Sequence, residues 1–275
     1  MLAAEVRFGA ATLREMIRTV RATQYVTALR EGGSLPAIVA GDDLGMYVVK
    51  FRGAGQGPLA LVAELVAGEI GRALGLRVPE LVFAEVDAAL GRNEPDQEIR
   101  DLLKASVGMN LALDYLPGST MFDPAAGDKA DARTASMAVW FDAFVMNVDR
   151  TARNANLLCW HKELYFIDHG AALFFHHNWE TAGQKAGSPF ADIGHHVLLQ
   201  WATGLEEADA EARSRLNPVV FEEILAMVPD AWLAPDRSAL AAADKRAAYL
   251  EFFVRRMGAS RNFVEEAIGA RTKLV

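Results

Sequence analysis

One cysteine, ten prolines and no long apolar run set the first limits on this chain. A lone Cys159 can form neither an internal disulfide nor a thiolate metal cage, which predicts a reducing, cytoplasmic setting. The longest uncharged stretches, such as Ile193–Leu205, fall short of the roughly 18–20 apolar residues that a membrane span needs. Glu5 and Arg7 interrupt the N-terminus before the apolar core of a secretory signal develops. Basic residues are the minority: 28 Lys and Arg against 36 Asp and Glu leave a net charge of −8, which argues against nucleic acid as the main partner. No repeat at solenoid spacing and no low-complexity tract is present. What remains is an ordinary globular balance, with 52% hydrophobic and 23% charged residues. A chain of 275 residues with that balance predicts one large domain, or two lobes sharing a cleft.

The punctuation divides the chain. Ala22–Arg30, Pro36–Ala40 and Met46–Arg52 read as strands, linked by Gly32-Gly33-Ser34 and by the turn cluster Gly41-Asp42-Asp43-Leu44-Gly45. After the flexible break Gly53–Gly57, Pro58 stands where a first helical turn tolerates proline, and a helix is predicted to run to about Leu74, before Gly75. Leu81–Val86 and Val107–Tyr115 read as further strands, and Pro117-Gly118-Ser119 makes a natural boundary. From about Ala132 the pattern is mostly helical, apart from Asn156–Asp168. The expected fold is α+β, with a β-rich lobe over residues 1–116 and a mainly helical lobe over 117–275.

The most informative stretch is Asn147-Val148-Asp149-Arg150-Thr151-Ala152-Arg153-Asn154-Ala155-Asn156. It follows the apolar helix Ala138–Met146 and precedes two short strands, Asn156–Trp160 and Leu164–Asp168, around a loop His161-Lys162-Glu163. With Trp160 opposite Leu164, Asn156 falls opposite Asp168. Asp149, Asn154 and Asp168 then converge, and two carboxylates with an amide oxygen make a hard site suited to Mg²⁺ carrying phosphates.

Asp-x-x-x-x-Asn followed by a hairpin ending in Ile-Asp-x-Gly resembles the catalytic and metal-binding loops of the protein-kinase-like fold. Asn147-Val148-Asp149 replaces the usual His-Arg-Asp, and Asp168-His169-Gly170 replaces Asp-Phe-Gly. Those departures resemble the bacterial HipA-like kinases and their phosphatidylinositol-kinase relatives, where Asp-Arg also opens the catalytic loop. The resemblance implies a two-lobed kinase fold, ATP and Mg²⁺ as cofactors, Asp149 as catalytic residue, and Asn154 and Asp168 as metal ligands. Arg150 or Arg153 is then the candidate for stabilising the transferring phosphate.

The N-terminal half carries the same likeness. Lys50 ends the strand Tyr47-Val48-Val49-Lys50, on one face with Met46 and Val48. The resemblance makes it the nucleotide-phosphate lysine. A helical Glu ahead of Leu-Gly-Leu-x-Val-Pro is a HipA-like feature, matched by Glu64 ahead of Leu74-Gly75-Leu76-Arg77-Val78-Pro79. Glu64 is therefore the expected partner of Lys50, with Glu69 its competitor. Gly32, Gly33 and Ser34 occupy the place of the phosphate-covering loop, where backbone N–H groups meet anionic oxygens. In the resembling toxins a serine of this loop is phosphorylated, which makes Ser34 a candidate for self-modification. Leu113-Asp114-Tyr115-Leu116 stands where a hinge would bind adenine through its backbone, with Asp114 and Leu116 as contacts.

Two other readings fit the same residues. One is a pseudokinase that holds nucleotide without transferring phosphate. The other is a metal-dependent phosphohydrolase using the histidines after Asp168, although adjacent pairs such as His176-His177 and His195-His196 point apart and supply at most one ligand each. The acceptor, whether protein, lipid or small molecule, is not legible.

Overall fold

The computed structural model describes residues 17–29, 35–92, 94–233, 238 and 240–274. Five strands close a barrel: β1 (Thr19–Ala28), β2 (Ala37–Gly41), β3 (Met46–Lys50), β4 (Leu81–Val86) and β5 (Gly108–Asp114). Their order is β1-β2-β3-β5-β4, and a parallel pairing of β1 with β4 completes the ring. Alternation decides what fills it. Tyr47 and Val49 of β3 turn inward with Val39, Val82, Ala84 and Ala112, while Met46, Val48 and Lys50 take the other face.

Helix α1 (Pro58–Ala73) crosses from β3 toward β4. It opens on Pro58 and ends in a Schellman motif, with Leu76 N–H donating to Gly71 O and Gly75 N–H to Arg72 O. Gly75 supplies the left-handed φ of 84° that this ending requires. Leu61 to Gly71 are all buried, so the helix is enclosed on every side. Its glycines are closed off by neighbouring side chains: a methyl at Gly71 would touch Val78 and Phe141, and one at Gly68 would press Leu81. Helix α2 (Gln97–Ala105), absent from the sequence reading, is capped by Asp96 and adds Ile99 and Leu103 to the barrel core.

The second half is helical, with α3 (Ala132–Val145), α4 (Ala182–Ala186), α5 (Leu205–Arg215), α6 (Pro218–Ala226), α7 (Ala242–Gly258) and α8 (Ser260–Thr272). Strands β6 (Thr120–Met121), β7 (Leu157–Trp160) and β8 (Glu163–Phe166) interrupt it. α3 is buried from Ala135 to Val145 and forms the axis of this half, with Trp140, Phe144, Phe221, Phe253 and Phe263 in mutual contact. The division into a β-rich and a helical part follows the sequence reading. Among the described residues no helix is long and apolar enough to cross a membrane.

One expectation needs correction. Trp160 pairs with Glu163, not Leu164, so the β7–β8 loop is the two-residue turn His161-Lys162. Both residues have positive φ, 50° and 67°, the signature of a type I′ turn whose twist matches the strands. The shorter loop moves the register by one, and Asn156 meets Ile167 rather than Asp168, through Ile167 N–H to Asn156 O at 3.1 Å.

Candidate active site

Lys50 leaves the end of β3 and meets two carboxylates. Its Nζ lies 2.6 Å from Glu64 Oε2 and 2.6 Å from Asp168 Oδ1. The three differ sharply in exposure: the Glu64 side chain is 0% exposed, Lys50 14% and Asp168 49%. Glu64 sits inside the apolar packing of α1, whereas Asp168 stands at the cleft on a residue with φ of 55°. Burial opposes the charge on Lys50, but Glu64 and Asp168 outweigh it and hold its pKa above the ordinary lysine value. Burial likewise opposes ionisation of Glu64, yet Lys50 and the His169 side chain beside it bring its carboxyl down to about 2. Both therefore remain charged at neutral pH. Glu69 plays no part in this pair and lies 3.6 Å from Arg72.

The other candidate residues follow α3. Asp149 is half-buried, and its Oδ2 accepts from Asn154 Nδ2 at 2.8 Å and from Asn156 Nδ2 at 3.3 Å. Its Oδ1 has no hydrogen-bond partner among the described residues. With its amide nitrogen turned to Asp149, Asn154 has its oxygen available for a cation.

Arg150 departs from the expectation. Its guanidinium has no exposed surface, and Nε donates to Asp142 Oδ2 at 2.6 Å. Nη1 reaches the carbonyls of Asn156 and of Ile167, the latter at 3.3 Å. A side chain enclosed in this way cannot face a transferring phosphate; it ties the Asp149 loop to the strand that presents Asp168. Arg153 is exposed on the same loop and remains the candidate for phosphate.

Asp142 was not singled out in the sequence. Its Oδ1 accepts from Asn147 Nδ2 at 2.8 Å, and its Oδ2 accepts from Arg150 and from His196 Nε2 at 2.9 Å. Burial opposes its ionisation, but Arg150 and His196 hold its pKa below the ordinary range. The Leu198 N–H donates to His196 Nδ1 at 3.0 Å, so the ring is the neutral Nε2–H tautomer, and burial lowers its pKa. The available signal was a carboxylate inside an otherwise apolar helix, eight residues before an arginine.

The remaining histidines are dispersed. His176 bonds Tyr249 at 2.7 Å, whereas His177 and His195 are exposed. No three His, Cys, Asp or Glu side chains gather in metal-binding geometry among the described residues. Asp168 and Asn154 still suit a hard cation, since Mg²⁺ takes few protein oxygens and completes its shell with water and phosphate.

At the expected hinge, the Asp114 N–H donates to Glu80 O at 2.9 Å and the Tyr115 N–H to Met46 O at 2.9 Å. A base contact at Asp114 would fall to its carbonyl. Burial, then Glu80, raises the Asp114 carboxyl pKa. Leu116 is buried, and its carbonyl accepts from Ser119. Gly32, Gly33 and Ser34 lie outside the described residues. The space beside Lys50 and Asp168 is narrow, about 20 Å³. It shares Gln56, Ala60 and Gly170 with a wider recess of about 490 Å³ that reaches Phe174 and His177.

A family description of HipA-like kinases matches residues 23–266. The chain belongs to the HipA-like kinase family. It is a kinase, hence a phosphotransferase, with the two-lobed kinase-like fold. Among solved structures it is similar to a Helicobacter pylori proinflammatory kinase, CtkA, at 13% identity and a TM-score of 0.50, covering 87% of this chain and 94% of that one. At that identity the likeness speaks to fold alone. The Golgi casein kinase with Mn/ADP bound is a weaker likeness, at 10% identity and a TM-score of 0.45, covering 91% of this chain and 73% of that one. A search of curated protein sequences finds no significant match.

Proposed function

We propose that this HipA-like kinase transfers the γ-phosphate of ATP, with Mg²⁺, to a hydroxyl group on a protein, lipid or small-molecule acceptor. The observation that carries this reading is the meeting of Lys50 with Glu64 and Asp168, each at 2.6 Å. Phosphoryl transfer asks mainly for positioning and charge stabilisation, and this set supplies both. Lys50, held charged by Glu64, would neutralise phosphate oxygens. Asp168 and Asn154 would hold Mg²⁺, which supplies charge neutralisation across the phosphates when bound. Asp149, fixed through one oxygen by Asn154 and Asn156, would orient the acceptor hydroxyl or take its proton at Oδ1. Arg153 would stabilise the transferring phosphate. In this reading the nucleotide lobe extends through Leu116, where Asp114 and Leu116 approach adenine, and the catalytic lobe begins at Pro117.

Incubation with γ-labelled ATP and separate protein, lipid and metabolite pools tests it. The parent protein is expected to label one pool. Asp168→Asn should lower transfer about 10²-fold or more while the fold persists, since the cation loses a charged ligand. Asp149→Asn should spare ATP binding and lower turnover. Parent-like turnover in both variants would remove the site from this cleft.

A further inference from the structure

Behind the lysine–carboxylate pair lies a buried imidazole that the mechanism above leaves unused. His169 follows Asp168, and its side chain has no exposed surface. Its main-chain N–H donates to Glu64 Oε2 at 2.7 Å, the oxygen that also takes Lys50. Its ring Nδ1 stands 3.5 Å from the other oxygen, Glu64 Oε1. Neither ring nitrogen, nor Oε1, has a hydrogen-bond partner among the described residues. Buried polar atoms left in that condition are costly, and here two of them face each other just beyond bonding distance. The Phe141 ring meets the imidazole edge-on, with centroids 5.6 Å apart, which restricts the ring from the α3 side.

Lys50 is shared between Glu64 and Asp168 in this structure. Phosphotransfer as proposed above, on which this inference rests, requires Asp168 to turn toward the cation. Glu64 alone then aims the lysine. A carboxylate with one unpartnered oxygen can rotate about its terminal torsion, which is broad. We propose that His169 is a positioning residue for this step: its Nδ1–H closes onto Glu64 Oε1 as Asp168 leaves, and locks the carboxylate that aims Lys50 at the phosphates. The Asp-His-Gly in place of Asp-Phe-Gly then has a physical purpose. Phenylalanine fills the same space but offers no donor.

Three variants separate the donor from the packing. His169→Phe keeps an aromatic ring, His169→Asn places an amide N–H near the position of Nδ1, and His169→Gln reaches toward Nε2. The donor role predicts that His169→Phe melts near the parent temperature but loses about tenfold to a hundredfold in kcat/KM for ATP, carried by KM. His169→Asn should recover most of that loss, and His169→Gln should not. A packing role gives the reverse order, with Phe parent-like and Asn impaired, and overturns the proposal. Lys50→Ala, run in parallel, reports on the nucleotide site itself. An impaired Lys50→Ala beside a parent-like His169→Phe sinks this inference alone, whereas a parent-like Lys50→Ala sinks the phosphotransfer reading of the cleft. ¹⁵N NMR of labelled histidine decides the donor without any turnover: the neutral Nδ1–H tautomer supports the lock, and the Nε2–H tautomer overturns it.

Discussion

Two fully buried carboxylates stand behind the two loops of the site, and they are built differently. Asp142 has both oxygens engaged, by Asn147, Arg150 and His196. Glu64 has both of its hydrogen bonds on Oε2 and none on Oε1. The first is a closed knot that fixes the Asp149 loop against the β7–β8 strands. The second faces the cleft through Lys50, a residue it shares with half-exposed Asp168. A closed knot resists rearrangement because any movement strands a buried charge. An open pair can exchange partners at smaller cost. That difference leaves the Asp149 loop fixed and the Lys50–Asp168 contact freer to rearrange.

The largest expected effect comes from opening the knot. Arg150→Ala leaves the Asp142 charge buried without its cation, which should cost about 3–5 kcal/mol of folding stability. Activity should fall with it, although the side chain faces no substrate. Urea unfolding at neutral pH checks this, and a loss below about 1 kcal/mol would mean that the knot is not closed. Lys50→Met tests the other carboxylate. Glu64 should then lose its depressed pKa and rise from about 2 into or above the ordinary carboxylate range, as burial is no longer outweighed. Protonation offers Glu64 a relief that Asp142, with three donors, does not need. Carboxyl ¹³C titration of the parent and the variant measures the shift.

An intermediate effect is pH-dependent and has two steps. The pKa of His196 is lowered from 6.5 in the folded protein, so below about pH 6.5 the unfolded chain binds a proton that the folded one refuses. Stability should begin to fall there as pH drops. Glu64, at about 2 folded and 4.5 unfolded, contributes stability that is complete above 4.5 and lost as pH falls toward 2. Asp142, lowered from 3.8, adds to that second decline. Unfolding free energy measured from pH 7 to pH 3 should bend twice. His196→Gln should erase the first bend, and Glu64→Gln should weaken the second. A flat profile between pH 7 and pH 5 would contradict a neutral, buried His196.

The two carboxylates also mark what the sequence could tell. The candidates Lys50, Glu64, Asp149, Asn154 and Asp168 were named because their order along the chain resembles a family pattern, and of the contacts expected among them the structure brings Glu64 rather than Glu69 to Lys50. The barrel strands and α1 were legible from alternation and from Pro58 and Gly75. Arg150 was misread because an arginine beside the candidate aspartate, Asp149, looks cationic and free in one dimension. Only the fold shows that Asp142, one helix earlier, has enclosed it. The hairpin register was missed by one residue because nothing in His161-Lys162-Glu163 advertises a type I′ turn; neither central residue is Gly or Asn. Helix α2 went unread because its apolar face is only Ile99, Leu102 and Leu103 on a short polar segment.

The smallest effect uses that turn to separate the two carboxylates. Strands β7 and β8 join the knot to the open pair, since Arg150 bonds the carbonyls of Asn156 and Ile167 while the His169 N–H bonds Glu64. Lys162 closes the hairpin at φ 67°, in the left-handed region that a side chain with a Cβ adopts at some strain. Lys162→Gly removes that strain at an exposed position and keeps the Trp160–His161 ring contact at 4.3 Å. The unfolded chain gains entropy from the new glycine, so the net gain should be modest, about 0.5–1 kcal/mol. Because the turn lies at the far end of the hairpin, the pKa of Glu64 and the rate of ATP turnover should both stay at parent values. If the hairpin instead transmits strain from its turn to the cleft, the same variant will move Glu64 or the turnover rate, and the two carboxylates will prove to be coupled through β7 and β8 rather than independently held.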